Sequence, residues 1–325
     1  MARTRVGTIK ELWRFPVKSL GGERRRELEL ERRGAVGDRL WAVRDLERGE
    51  LTSAKKLPRL MLIEARYLEE PRAGEAPRRV PPVELRFPDG RHVRSGDADL
   101  DRHLSDFVGR RVALTSLAPA RDGAHYHANQ ANQRSLRELF GVAPSESLPD
   151  LSTLPLALLA ELSFSATPRG TYFDAFPLHV LTTASLAAMR ALAPACEFDV
   201  RRFRPNLLIE TPGRAEPVEL GWCGGSLEAG TLRASVVTPT VRCAMPTRPQ
   251  PGLAAEPRII KTIAAHAERC LGVYARVARP GRVALGDSVE VVPPSDALAA
   301  RLARAAWRRG KRRLVQGLTA LLPRG

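Results

Sequence analysis

Val236-Val237-Thr238-Pro239-Thr240-Val241-Arg242-Cys243 reads as a β-strand that delivers a cysteine directly after an arginine. A neighbouring guanidinium favours the thiolate, the form of cysteine that attacks electrophiles and binds metals. The same residue is also read as a buried thiol behaving as a small hydrophobe. Which reading holds depends on what the rest of the chain brings to Cys243.

Working outward, similar β-like runs recur along the chain. Residues 6–115 read as short strands joined by turns: Val6–Phe15, Arg26–Leu30, Leu40–Arg44, Leu60–Tyr67 and Val83–Phe87. Phe87-Pro-Asp-Gly-Arg91 is a hairpin signal. This unit is β-rich and barrel-like, and residues 98–110, with Leu100, Leu104 and Phe107, form a short amphipathic helix that closes it. Residues 118–176 are looser, with His125 and His127 and a helix-like run over Arg134–Phe140.

A second domain begins near Phe176, where Thr182 or Thr183 caps a helix over Ala184–Leu192. Strands follow at Asn206–Glu210, Gly230–Val237 and Ser288–Val292, with a helix at Arg258–His266. Pro293-Pro294 stops the domain, and Ser295-Asp296 caps a basic tail helix. The expected fold is β-rich α+β, divided as 1–115, an N-terminal barrel-like domain; 116–175, a connecting segment; 176–293, a second β-barrel with flanking helices; and 294–325, a basic amphipathic tail. The tail is read either as an interfacial helix that touches an anionic membrane or acidic partner, or as a helix docked on its own protein. Gly310 and Gly317 weaken a long continuous helix and favour docking.

At 325 residues the chain exceeds what one hydrophobic core usually serves. No stretch approaches the ~20 uninterrupted apolar residues of a membrane-spanning helix. The N-terminus runs straight into a strand pattern without a signal-peptide core, so the cytoplasm is the expected compartment. Cys196, Cys223, Cys243 and Cys270 form no C-x-x-C, which excludes a local zinc knuckle and a ferredoxin-type cluster. They read as four lone thiols, reduced in the cytoplasm. The formal net charge of +16 is carried mostly by arginine, which suits phosphate and carboxylate partners. Aromatic residues make up only 5%, with no basic stripe interleaved among them, which argues against nucleic acid.

Four further segments carry candidate chemistry. Phe15-Pro-Val-Lys18-Ser19-Leu puts a cation and a hydroxyl at a strand end, as a phosphate contact needs. Val36-Gly-Asp38-Arg39-Leu-Trp41 places an arginine in a turn, where a structural Asp–Arg pair is the simpler reading. In Arg204-Pro205-Asn206, the proline pushes Arg204 towards extended geometry, and Asn206 offers a donor and an acceptor to a heterocycle edge or makes a turn. Leu271-Gly-Val-Tyr274 ends in a phenol suited to a bound ligand or to the core. His179, in an apolar strand, reads as a satisfied core histidine. His125 and His127 read as flexible, or as a loop metal site or proton donor.

Taken in order with Arg202-Phe-Arg-Pro-Asn206, Val241-Arg-Cys243 and Leu285-Gly-Asp287, these segments resemble MOSC proteins. More closely, they are similar to the two-domain group with an N-terminal MOSC β-barrel, which includes the molybdenum cofactor sulfurase C-terminal domain and the amidoxime-reducing component enzymes. The resemblance spans about residues 6–292. It implies that Cys243 is the protein ligand to molybdenum and that Lys18, Ser19, Arg39, Arg204, Asn206, Arg242 and Tyr274 hold the phosphorylated pyranopterin of the molybdenum cofactor (Mo-molybdopterin). A soft thiolate suits such a metal. The group also has a family-level association with pyridoxal phosphate binding. Two departures stand out. Ala175 and Phe176 precede Pro177 where amidoxime-reducing enzymes carry a small hydroxyl pair, and no C-terminal ferredoxin domain follows.

The resemblance therefore implies an oxidoreductase that removes oxygen from small N-hydroxylated compounds such as amidoximes or hydroxylamines. Its electrons would come from a separate donor protein: a ferredoxin, a cytochrome b5-like protein or a flavoprotein. The alternative is a cofactor carrier or sulfur-handling protein, with Cys243 as a persulfide or transit thiol.

Overall fold

The computed structural model describes residues 3–129 and 132–294, together with 311, 312, 314–317 and 319 of the tail. Seven strands close into a barrel: β1 (Thr4–Arg14), β2 (Leu178–Thr182), β3 (Leu207–Glu210), β4 (Ser226–Ala229), β5 (Leu232–Val241), β6 (Cys270–Arg279) and β7 (Ser288–Val292). Around the barrel the order is β1-β3-β2-β6-β5-β4-β7 and back to β1. Only β2 and β3 pair in parallel, and the helix α1 (Thr183–Leu192) lies in the crossover between them.

The alternation of β5 shows why the barrel forms. Leu232, Ala234 and Val236 point inward while their neighbours are more exposed, as a half-buried strand requires. Ile9, Leu12, Val180, Ile209, Val273 and Val289 meet them in the interior. Each such side chain contributes ~1.5–3 kcal/mol on burial. Pro239 lacks a ladder donor and sits between two register shifts of the β5–β6 pair. Those bulges bend the strand just before it delivers Arg242 and Cys243.

The boundary at residue 115 divides the sequence but not the space. β1 comes from the N-terminal end yet pairs with β3 and β7, closing the C-terminal barrel. Its alternation marks a strand but not its partners. Gly7 lets β1 approach β3, since a Cβ there would lie 2.0 Å from the Glu210 carbonyl oxygen. Glu27–Glu31 likewise pairs with Gly281–Ala284.

The rest of the N-terminal unit packs small three-stranded sheets around Leu20, Leu60, Ile63, Leu85 and Leu104. The hairpin at Phe87–Arg91 is present, as is the helix at Leu100–Val108. The run Leu60–Tyr67 is not one strand. Pro58 opens a 3-10 turn through Leu62, and the strand begins at Glu64. Leu60, Met61 and Ile63 are buried nearly consecutively, which a tight turn permits and an alternating strand does not.

Outside the barrel, α1 and α2 (Arg258–His266) bury Leu186, Met189, Ile259 and Ile263 against Phe198 and Leu271. Thr182 is the cap of α1: its Oγ1 accepts from Ser185 N. That hydroxyl also donates to Glu219 Oε2 at 2.7 Å, and Ser185 Oγ donates to Glu219 Oε1 at 2.6 Å. Burial raises the Glu219 pKa despite these two bonds. A carboxyl raised above its unfolded value gives stability that is full below the unfolded pKa and is lost as pH rises through the folded one. Glu219→Gln is therefore expected to flatten the fall in stability on the alkaline side of that titration. Glu219→Ala, which strands two buried hydroxyls, is expected to cost about 2–4 kcal/mol. Urea unfolding across a pH series checks both.

The looser reading of 118–176 gives way to short helices at Gly123–Tyr126, Gln133–Phe140 and Leu156–Leu162. Asn132 caps the second with a reciprocal Asn132–Ser135 box. In the tail, Ser295-Asp296 and Gly310 lie outside the described residues. Those described are docked: Lys311 Nζ donates to Leu154 O at 2.5 Å and Arg312 pairs with Asp150 at 3.4 Å. Among the described residues, no helix is long and apolar enough to cross a membrane.

Candidate functional site

All eight candidate residues line one cleft between the barrel and the N-terminal unit: Lys18, Ser19, Arg39, Arg204, Asn206, Arg242, Cys243 and Tyr274. Chain leaving β1 brings Lys18 and Ser19, the residues before β3 bring Arg204 and Asn206, and the end of β5 brings Arg242 and Cys243. Beyond Cys243, Met245 is buried in the N-terminal core, on which Cys243 also packs. The cysteine thus sits on the seam.

Three of the lining residues, Ser19, Arg39 and Arg204, hold left-handed backbone with φ of 71°, 53° and 55°. Such strain in non-glycine residues gathers at binding sites. For Arg204 this corrects the extended geometry expected before proline. Phe203 N closes the 3-10 turn Val200–Arg202 on Val200 O at 3.0 Å, and Arg204 N also reaches Val200 O at 3.3 Å as the chain turns left-handed at Arg204. The side chain then lies 4.1 Å above the Phe15 ring, and Nη1 donates to Leu20 O.

Asn206 is engaged by the protein itself. Its Oδ1 accepts from His179 N at 3.1 Å, and its Nδ2 donates to Trp13 O and to Asp38 Oδ2 at 3.3 and 3.1 Å. With its amide committed to protein, Asn206 is a strut of the cleft. Asp38 completes the strut by accepting from Phe15 N at 2.7 Å and pairing with Arg39. The structural Asp38–Arg39 pair is therefore present, while Arg39 also faces the rings of Phe15 and Phe173 at 5.0 and 5.6 Å.

Two site residues were not legible as such in the sequence. Asp174 accepts from Lys18 Nζ and lies 3.2 Å from Lys55 Nζ. Burial pushes the Asp174 carboxyl up, but Lys18, Lys55 and Arg39 outweigh it and hold it well below the usual range. Lys18 goes down to about 8, because burial and the neighbouring Lys55 outweigh Asp174. Lys55 moves the other way: burial lowers it, and Asp174 with Cys243 raises it further.

His179 is 5% exposed; its ring stands 5.7 Å from Tyr274 and its Nε2 lies 3.4 Å from Arg242 Nη1. Burial and then Arg242 hold it well below its ordinary value, so it is neutral and accepts from the guanidinium. A Cβ at Gly272 would lie 2.5 Å from His179 Nε2, which accounts for the glycine in Leu271-Gly-Val-Tyr274. Burial raises Tyr274 to about 12, leaving a neutral phenol whose ring lies 5.3 Å from Phe176 at a tilt of 31°. That contact occupies the side where the Ala175–Phe176 departure falls.

His125 is not part of the cleft. It bonds Tyr172 Oη at 2.6 Å within an aromatic cluster. His127 is no lining residue either. Among the described residues, no three His, Cys, Asp or Glu stand together as a metal site. Cys196, Cys243 and Cys270 are free thiols.

Two of the cleft's arginines have buried nitrogens left open. Arg204 and Arg242 are each 7% exposed, yet Arg204 Nη2 and Arg242 Nε are buried without a hydrogen-bond partner. A buried charged donor left unpaired costs more than the ~1–3 kcal/mol of a neutral one. Half-exposed Cys243 lies within electrostatic reach of Lys55, Arg204, Arg242 and Arg269. A wider groove of about 460 Å³, lined by Lys10, Thr183, Arg190 and Arg214, contains none of these residues. By comparison the cleft is narrow, with about 60 Å³.

Sequence comparison matches residues 6–86 to the MOSC N-terminal beta barrel domain and residues 167–290 to the MOSC domain. The chain is a MOSC-domain protein. MOSC domains are associated with proteins that bind the molybdenum cofactor. No curated protein matches this MOSC protein. Among solved structures, it is similar to the YUAD protein from Bacillus subtilis at 13% identity, over 90% of this chain and 99% of that one, with a TM-score of 0.43. It is also similar to YiiM from Geobacillus stearothermophilus at 17% identity, over 38% and 57% of the two chains, with a TM-score of 0.29. Neither likeness is close enough to speak for this protein's chemistry.

Proposed function

We propose that this MOSC protein is a molybdenum-cofactor oxidoreductase that removes oxygen from N-hydroxylated compounds. The observation that carries the reading is the pair of buried, unpartnered guanidinium nitrogens beside a half-exposed cysteine. The donor set fits the cofactor. Cys243 would supply a soft sulfur ligand, and Arg204, Arg242 and Lys18 would hold a phosphate. Ser19, Arg39 and Tyr274 line the same cleft, and Asn206 supports it from behind.

When bound, the cofactor supplies two-electron oxygen transfer. Reducing an amidoxime consumes two electrons and two protons, and releases an amidine and water. The protein's part is to bind, orient and hold protons. The Tyr274 phenol and the Lys18 ammonium both carry a proton at neutral pH. Phe173, Phe176 and Phe203 give the cleft apolar walls that suit an aromatic substrate. Electrons would come from a separate ferredoxin, cytochrome b5-like protein or flavoprotein.

Half-exposed Cys243 among cations also supports a second reading, a carrier or sulfur-handling protein with a persulfide on that thiol. Metal content tests binding. Reduction of benzamidoxime by loaded protein with a chemical reductant then separates enzyme from carrier, and no turnover above a Cys243→Ala control would favour the carrier.

A further inference from the structure

The matched regions stop at residue 86, resume at 167 and end at 290. The chain between and beyond them is not idle. The helix Gln133–Phe140 docks on the loop that carries the cysteine: Ala244 N donates to Leu139 O at 3.0 Å. Phe140 O accepts from Arg269 Nη1 at 2.7 Å, and Arg269 O accepts from Arg242 N at 2.7 Å. The backbone on both sides of Cys243 is therefore tied, directly or through Arg269, to this segment.

Further along, Leu154 and Leu158 pack with Phe176, Val237 and Tyr274, which include a wall of the cleft. Thr238 Oγ1 donates to Thr153 O at 3.2 Å. The tail then holds that segment: Lys311 bonds Leu154 O, Arg312 pairs with Asp150, and Val315 is only 5% exposed.

We propose that residues 133–162 brace the loop that carries Cys243 and that the tail holds this brace in place, so a bulky reagent or ligand reaches Cys243 more freely when the tail lets go. The inference rests on the cleft being the binding site, but its test does not depend on what binds there. A metal-free protein that still shows the gating would overturn the cofactor reading alone.

The test is the rate at which N-ethylmaleimide modifies Cys243 in the full chain, followed peptide by peptide. Val315→Asp is expected to raise that rate at least ~10-fold by favouring local opening. Cys196 and Cys270, both buried, should stay protected. Arg312→Asp should raise it roughly two- to five-fold, the size of an exposed ion pair, and Asp150→Arg/Arg312→Asp should restore it. An unchanged Cys243 rate in Val315→Asp with Cys196 and Cys270 protected overturns the proposal. If those two cysteines also react, Val315→Asp has unfolded and the charge-swap set decides: no acceleration, or no rescue, overturns it.

Discussion

Replacing Arg204 with methionine is expected to make the protein more stable while removing its grip on a phosphate-bearing ligand. Arg204 is 7% exposed, and burial followed by repulsion from Arg39 lowers its pKa. One of its nitrogens, Nη2, has no partner. Replacing a buried, incompletely paired charge by an apolar side chain of similar volume is often stabilising by about 1–4 kcal/mol. Loss of the bond to Leu20 O and of the stacking on Phe15 offsets part of that, leaving an expected gain of about 1–2 kcal/mol. Over the same change, pterin retained through purification should fall to below roughly a tenth of wild type, because a charge-assisted donor to phosphate is gone. Urea unfolding and pterin fluorescence read the two effects, and their opposite signs mark a residue kept for binding at a cost in stability.

Asp38→Ala is expected to act the other way, costing about 3–5 kcal/mol because it breaks a buried ion pair from one side. Asp38 is 2% exposed and serves three donors at once: Phe15 N, Asn206 Nδ2 and the Arg39 guanidinium. Its loss strands a charge and two buried N–H groups at the point where β1, the 36–39 turn and the start of β3 meet. Asp38→Asn keeps one acceptor for Phe15 but turns a donor or a weaker acceptor towards Asn206 and Arg39, so a smaller loss is expected. Denaturant midpoints order the three proteins as wild type, Asn, Ala.

What was legible in the sequence follows from what each signal encodes. Most strand runs, the hairpin at Phe87–Arg91 and the helix at Arg258–His266 are local patterns that appear where the pattern puts them, whereas Leu60–Tyr67 is broken by the turn that Pro58 opens. That β1 belongs to the barrel is a matter of partners, which alternation cannot specify. The cleft was legible because five short segments line it, while Leu285-Gly-Asp287 lies elsewhere and Lys55 and Asp174 fall outside all of them. A Lys-Lys pair in a turn reads as solvated, and a lone Asp between Phe173 and Ala175 has no partner until Lys18 arrives from far along the chain. The Arg242-Cys243 step suggested that the guanidinium serves its neighbour. Its nitrogens instead contact Phe203 O at 3.0 Å and His179 at 3.4 Å, with Nε left open. Local patterns point to residues that share one cleft, but not to which of their atoms are already committed.

The most direct test of the cofactor reading is the molybdenum content of the full chain purified from a host that makes the cofactor. The cleft predicts about one molybdenum per chain, and less than roughly a tenth of that in Cys243→Ala, since the ligating sulfur is gone. A wild-type protein without molybdenum, beside a parallel MOSC control that is filled, would contradict the reading. So would a Cys243→Ala variant that keeps its full complement of metal.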